Sequence, residues 1–329
     1  MKKVNWAVLG TANIAKTEVI PGMKLSNHAQ LYAIAGRKPE KLAAFQALFD
    51  FEKVYTNYDD VLNDPLVEAV YIPLSNDLHK EWVIKAARKK KHILCEKPLV
   101  GKASEIKELT KICQEEGVLL MEAFAYLHSP IIKDLIKRVN EGVIGEIKLI
   151  ETAFHIPKQE DADIRSRKET LGGSQYDVGC YNISLILKLI NQMPTTTVTA
   201  TSVMTAAGID AYTHAVLTFE NGILATSSCG MILGDITVDR IDRCLIQGTM
   251  GHITTAIPYN GTGRLSYEIV TPNETQTISM EVPNNYALEI DQFSQCIRGE
   301  AKPLVTNAFS YQVATVQDQI LDKIGYNKN

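Results

Sequence analysis

At 329 residues, 45% hydrophobic and 22% charged, with a formal net charge of −4, the chain has the composition of a globular protein too long for one comfortable core. It holds no basic tract suited to nucleic acid and no apolar run near the ~18 residues of a membrane span, and its start, MKKVNWAVLG, passes into a strand-like run without a cleavage signal. A cytoplasmic protein that binds neither nucleic acid nor membrane is therefore expected, and six scattered cysteines without a Cys-x-x-Cys pair or a histidine at ligand spacing predict free thiols and no metal site.

Val4 to Leu9 has strand length and apolarity, and Gly10-Thr11-Ala12-Asn13-Ile14-Ala15 leads from it into a helical pattern ending near Met23. Such a turn can bring backbone against a pyrophosphate at the helix N-terminus, with Gly10 as the first fingerprint glycine. Ala12 and Ala15 stand where the second and third glycines fall, so an ordinary strand-to-helix turn is the alternative. The pairing of strand with helix then repeats: Gln30 to Ala35 with Glu40 to Phe49, Glu68 to Pro73 with Asp77 to Lys89, and Lys91 to Cys95 with Ser104 to Glu116. Val118 to Met121 adds another strand. This alternation predicts right-handed crossovers and a mostly parallel sheet. Ligands bind beyond the carboxyl ends of such strands, where Gly10, Gly36, Pro73, Lys97 and Glu122 all fall.

Two of these strand ends carry charge. The second is followed by Arg37 and Lys38, with Lys41 a turn later, where an acid would accept a ribose hydroxyl. These cations suit the 2′-phosphate of NADP, with NAD as the alternative cofactor. A charge-assisted bond of about 1.5–3 kcal/mol corresponds to roughly ten- to a hundredfold preference. Solvated charges opening a surface helix are the plainer account. In His92-Ile93-Leu94-Cys95-Glu96-Lys97-Pro98-Leu99 an apolar run ends in a charged pair and a proline. A lysine there is costly to desolvate unless its charge is used, which makes Lys97 a functional suspect beside the alternative of a surface ion pair.

After Glu122, Phe124 to Pro130 and the amphipathic Ile131 to Glu141 cross into a different pattern. Ile147 to His155, Thr197 to Met204, His214 to Phe219, Leu224 to Met231, Arg240 to Gln247 and Arg264 to Val270 read as strands of a largely antiparallel open sheet. One face should carry helices such as Tyr181 to Asn191, and the other is a candidate subunit interface. Ala287 to Ile297 and Ser310 to Ile324 return to helix, and this tail is expected to pack back on the first domain.

Within this half, Asp163-Ile164-Arg165 precedes Leu171-Gly172-Gly173-Ser174-Gln175-Tyr176-Asp177-Val178-Gly179-Cys180-Tyr181. Helical spacing puts Asp177 and Tyr181 on one face. A tyrosine hydroxyl can exchange the proton of an alcohol if its pKa falls from about 10 toward 7–8, a change of about 3–4 kcal/mol. One lysine ammonium at ~4 Å supplies roughly that amount at an effective dielectric of 20. A half-buried helix tyrosine and a helix-start acid are the plainer account.

Taken together, the Gly10 turn, Tyr71-Ile72-Pro73-Leu74-Ser75-Asn76 with His79, Glu96-Lys97-Pro98, Met121-Glu122-Ala123-Phe124, and Gly172-Gly173 through Asp177-x-Gly179-x-Tyr181 resemble the Gfo/Idh/MocA oxidoreductases over nearly the whole chain. Tyrosine at 181 is similar to the branch holding NADP-dependent D-xylose 1-dehydrogenases, dimeric dihydrodiol dehydrogenases and glucose-fructose oxidoreductase. The resemblance implies an α/β plus α+β protein: a doubly wound parallel Rossmann sheet in residues 1–123 and an open-faced, mostly antiparallel substrate and oligomerisation domain in 124–329. Cofactor and sugar would meet between them.

The resemblance also implies Lys97 and Tyr181 as the catalytic pair, Asp177 as the substrate-orienting acid, and a cis peptide before Pro98. Cofactor contacts would come from Gly10, Thr11, Ala12, Asn13, Ile14, Arg37, Lys38, Lys41, Pro73, Leu74, Asn76, His79, Glu96 and Lys97. Substrate contacts would come from Phe124, Tyr126, His155, Arg165, Asp177 and Asn182. The reaction implied is hydride transfer between NADP and a secondary alcohol or hemiacetal, foremost C1 of an aldose, by a homodimer or homotetramer built through the C-terminal sheet. Its rivals are dihydrodiol oxidation or (di)carbonyl reduction by the same pair, a non-catalytic NADP-binding regulator, and a nicotinamide-assisted glycosidase. Ser174, Gln175-Tyr176, Leu127 and Ser129 depart from the branch pattern, which alters the substrate-facing surface and leaves the catalytic pair in place.

Overall fold

Val4–Leu9 (β1) is buried at every position but Asn5, the pattern of a strand covered on both faces. In the computed structural model, which describes residues 2–194, 198–233 and 240–327, it lies at the centre of a six-stranded parallel sheet. The chain continues through a wide π-type turn at Ala15–Val19 into Ile20–Leu25 (α1), then Ala29–Ala35 (β2), Pro39–Leu48 (α2), Lys53–Tyr55 (β3) and Tyr58–Asn63 (α3). Ala69–Ile72 (β4), His79–Arg88 (α4), His92–Glu96 (β5), Ala103–Glu116 (α5) and Leu120–Ala123 (β6) complete the run. The strand order β3-β2-β1-β4-β5-β6 reverses direction between β1 and β4, the switch point where doubly wound sheets open a crevice. The sequence patterns miss β3 and α3. Three residues carry no readable period, and α3 is set by its cap, the Asn57 side chain accepting from the Asp60 amide at 2.8 Å.

The chain divides into two compact units, Met1–His128 with Pro283–Tyr311, and Ser129–Val282 with Gln312–Asn329. The second unit opens with Pro130–Asn140 (α6), Ile147–Pro157 (β7) and Cys180–Ile190 (α7). Val198–Met204 (β8), Asp210–Thr218 (β9), Leu224–Leu233 (β10), Ile241–Gly248 (β11), His252–Thr255 (β12), Gly263–Val270 (β13) and Thr275–Val282 (β14) follow. Thr197, expected at the start of a strand, lies outside the described residues. The eight strands run β14-β13-β12-β11-β7-β10-β9-β8, antiparallel except for β7 beside β10, as expected of an open, mostly antiparallel sheet. β12 and β14, which the patterns miss, extend it.

Alternation along the strands separates two faces. Ile150, Phe154, Cys244 and Ile246 are buried, and α6 and α7 pack on this sheet, with the Tyr267 hydroxyl donating to Asp134 of α6 at 2.6 Å. Leu149, Glu151, Arg243 and Leu245 take the other face, where Val203 is 58% and Leu224 44% exposed. No helix among the described residues is long and apolar enough to cross a membrane.

Asn285–Ile297 (α8) belongs to the first unit, and Asn307–Lys323 (α9) runs from the first unit into the second. α8 packs on α1. Trp6 donates its indole N–H to the Ser294 hydroxyl at 3.1 Å, and the Arg298 fork grips Glu68 at 2.8 and 3.0 Å. The two helices approach at Gly22, where a Cβ would stand 2.9 Å from both the Ala287 amide nitrogen and the Tyr286 Cβ. Gly22→Ala is expected to lower stability by about 1–3 kcal/mol through this overpacking, measured by urea unfolding.

Beside β5, the Glu122 carboxylate of β6 accepts from the Leu99 amide at 2.9 Å and is 4% exposed. Burial raises its pKa from 4.5 to about 7, with Glu96 adding to the rise and Ser310, Leu99 and Lys97 opposing it. The folded state thus holds this proton more tightly than the unfolded one. The corresponding stability is complete below pH ~4.5 and is lost as pH rises to ~7, on the order of 3 kcal/mol in all. Glu122→Gln keeps the acceptor and removes the titration. The stability difference between variant and parent should therefore move in the variant's favour from pH 5 to pH 8 in urea titrations, and parallel curves would exclude the shift.

Candidate active site

In the first unit, the ends of β1, β2 and β4 converge. Gly10 has φ +126°, a backbone that L side chains resist, and a Cβ there would stand 3.1 Å from Leu74 Cδ2. Its amide donates to the Ala35 carbonyl at 2.8 Å, tying the turn to β2. Thr11, Ala12 and Ile14 are partly exposed around this turn and Asn13 is exposed. Arg37, exposed at the end of β2, holds its guanidinium 5.6 Å from the Tyr58 ring centroid, and Lys38 and Lys41 are exposed beside it. A turn opened by Gly10 at the switch point, with cations at the next strand end, fits a dinucleotide with an anionic ribose substituent.

Lys97 follows β5, half-buried, and its bond to Pro98 is cis, as the resemblance implies. Pro73 is buried and Leu74 and Asn76 are partly exposed at the end of β4. His79, expected as a cofactor contact, lies between two loops. It is fully buried, with one ring nitrogen on the Pro98 carbonyl at 2.8 Å and the other on the Leu74 carbonyl at 3.0 Å, and burial lowers its pKa. The ring is a strut between the loops that follow β4 and β5. Glu96 accepts from the Tyr71 hydroxyl at 2.6 Å, and burial together with Glu96 raises that tyrosine's pKa well above 10. Phe124 and Tyr126 are fully buried, their rings edge to face at 6.3 Å.

In the second unit the helix bearing Asp177 and Tyr181 opens with a π-type turn at Gln175–Gly179. Its start is anchored on Asp210 of β9, a fully buried carboxylate that accepts from the Ser174 hydroxyl at 2.6 Å, the Gln175 amide at 2.8 Å and the Thr213 hydroxyl at 2.7 Å. Gly173, at φ +110°, lets this carboxylate approach, since a Cβ would collide with Asp210 Oδ1. Ser174, a departure from the branch pattern, is thus one of the groups holding the acid.

Arg165 binds Asp177 through Nε at 2.9 Å and Asp163 through Nη1 at 3.3 Å. The charge of Asp177 comes first among the causes that raise the arginine's pKa. Arg165, expected as a substrate contact, holds the Asp177 carboxylate in place and keeps 38% of its side chain exposed. Tyr181, 9% exposed, has its ring edge-on to Phe154 at 5.4 Å and tilted against Tyr259 at 5.0 Å. Asn182, expected at the substrate, is fully buried, donating to the Ser228 carbonyl at 2.9 Å and accepting from the Tyr259 hydroxyl at 3.1 Å. His155 alternates with Phe154 onto the opposite face of the sheet, where it stacks on Tyr212 at 5.6 Å and meets Ser228 Oγ at 3.0 Å. The structure does not bring His155 to the Tyr181 face.

The sequence gives no sign of Tyr259, whose loop is pinned by its amide on Asp242 at 2.9 Å and its carbonyl on Arg240 at 3.0 Å. The Arg240 guanidinium in turn lies 4.6 Å from the Phe154 ring centroid. Asp210 was equally hidden, in a strand whose readable pattern starts only at His214.

Residues 4–124 match the family model of an oxidoreductase family with an NAD-binding Rossmann fold, and residues 132–254 match the GFO/IDH/MocA C-terminal domain. The chain is 31% identical over 305 residues to an uncharacterized oxidoreductase of Rhizobium meliloti, covering 91% of this chain and 90% of that one. It is 30% identical over 324 residues to D-xylose 1-dehydrogenase (NADP(+)) 2 of Haloferax volcanii, covering 96% of each. Among solved structures it resembles a 3-ketoreductase of Actinomadura kijaniata in complex with NADP and TDP-benzene, at TM-score 0.89 and 26% identity over 98% of both chains. With both family models, two full-length relatives and the two sheets in agreement, the chain belongs to the Gfo/Idh/MocA family and is an NAD(P)-dependent oxidoreductase.

Proposed function

We propose that this protein transfers a hydride between NADP and a carbon bearing a secondary alcohol or cyclic hemiacetal, foremost C1 of an aldose such as a pentose, giving the lactone. The observation that carries the proposal is Tyr181 held by Phe154 and Tyr259 on the helix whose start bears the Arg165-paired Asp177. Residues 1–123 hold the cofactor in this proposal and 124–329 the substrate. When bound, the nicotinamide supplies the hydride acceptor or donor. Tyr181 takes the hydroxyl proton, and Lys97 lowers the tyrosine's pKa through its charge. Asp177, held by Arg165, accepts from a neighbouring hydroxyl and orients the sugar. The full-length similarity to the Haloferax xylose dehydrogenase supports this assignment. Similarity to the kijaniata reductase favours a second assignment, reduction of a keto-sugar by the same pair.

The exposed face of the second unit's sheet carries a cleft of about 530 Å³ bordered by Glu151, Arg243, Leu245, Thr254, Glu268 and Thr277. A homodimer or homotetramer through this face is part of the proposal. So is a cytoplasmic location, in keeping with six buried cysteines, none of which forms a disulfide among the described residues.

Lys97→Ala and Tyr181→Phe are each expected to lower kcat by orders of magnitude while NADP affinity is retained, read by NADPH absorbance on a panel of aldoses, dihydrodiols and dicarbonyls. Near-full turnover by Tyr181→Phe would exclude the proton-transfer role. Arg37→Ala is expected to raise KM for NADP about ten- to a hundredfold with a smaller effect on NAD. Equal KM values for the two cofactors in the parent would remove the 2′-phosphate assignment.

A further inference from the structure

We propose that Tyr326, in the C-terminal segment, is a positioning residue that sets substrate affinity through the turn leading to Asp177. The inference rests on the substrate role assigned to Asp177 above and names a distant residue on which that role depends. After α9 the chain turns at Gly325, and the Tyr326 amide donates back to the Leu321 carbonyl at 2.9 Å. The ring is thereby directed inward and is 2% exposed. It joins a buried apolar cluster with Tyr176, Ile209 and Leu321, meets Tyr176 edge to face at 5.4 Å, and has the Lys168 ammonium 5.6 Å from its centroid. Tyr176, one of the residues that depart from the branch pattern, is therefore matched to the tail of this same chain.

The hydroxyl of Tyr326 reaches the site. It donates to the Gly172 carbonyl at 2.7 Å, and burial raises its pKa, which keeps it a donor throughout the neutral range. Gly172 and Gly173 in turn donate their amides to the Arg167 and Arg165 carbonyls, each at 2.9 Å. The Asp177 amide donates to the Gly173 carbonyl at 3.1 Å, and Arg165 Nε closes the ring on the Asp177 carboxylate at 2.9 Å. Each side chain and peptide in this ring has its place set by the next, and Tyr326 fastens it from outside. A tyrosine serving only as core would need its ring and any acceptor at hand. Here the acceptor is the peptide preceding Gly173, one hydrogen bond from the Asp177 backbone.

Tyr326→Phe removes one hydroxyl and keeps the ring, and the experiment has two arms. Hydrogen exchange at the Gly172, Gly173 and Asp177 amides is expected to quicken about three- to tenfold, the span of one neutral hydrogen bond. KM for the alcohol substrate is expected to rise over the same span, with kcat within about twofold and KM for NADP unchanged. Leu321→Ala, in the same cluster, should lower the unfolding midpoint without that split between KM and kcat. Unchanged exchange in Tyr326→Phe overturns the inference, as does faster exchange with unchanged KM, or a parallel fall of kcat and both affinities. Failure of the proposed reaction shows itself separately, as absence of turnover by the parent enzyme on every alcohol and carbonyl of the panel, and the exchange arm then decides whether the tail fastens the turn.

Discussion

The pairing of Arg165 with Asp177 is the constraint on which the start of this helix in the second unit depends. The carboxyl side chain is 13% exposed, and the guanidinium meets it at 2.9 Å. That pairing requires the Arg165 segment to lie against the helix start. The glycine pair makes it so, because Gly173 hydrogen-bonds to the Arg165 carbonyl while its own bare Cα admits Asp210. One buried acid therefore orders the backbone and another takes the charge, and the helix that follows inherits its direction from both.

The polar groups near the two sets of strand ends fall into two kinds. His79 and Asn182 have both ends of their side chains engaged internally and no exposure, so they set the spacing of loops and rings. Lys97, partly exposed, and Tyr181, 9% exposed, stand on the elements beside such struts. A group whose hydrogen bonds run to its own chain on both sides holds its neighbours in place.

Much of this was legible in the sequence. Alternating strand and helix patterns up to Glu122 identify the parallel sheet, and the abrupt charge in Glu96-Lys97 marks a strand end. β3 was not legible, since its three residues are fewer than a period needs to declare itself. The face of His155 was readable in principle from its alternation with Phe154, but its residue type suggested chemistry more loudly than its parity suggested position. Tyr259 and Tyr326 were out of reach, because their partners lie far away in the chain and no local pattern encodes such a pairing.

Trp6 and Ser294 stand 288 positions apart in the chain, yet they share a hydrogen bond inside one unit. Between them the chain lays down an entire second sheet. The parallel strands can pair early, since their crossovers are local, but α1 stays without its covering helix until α8 has been made. The nascent first unit therefore lacks this cover while the second sheet is being made, and the second unit in turn waits for the tail that carries Tyr326. A truncated transcript would not yield a smaller, self-sufficient nucleotide-binding module. It would yield one with its side wall missing.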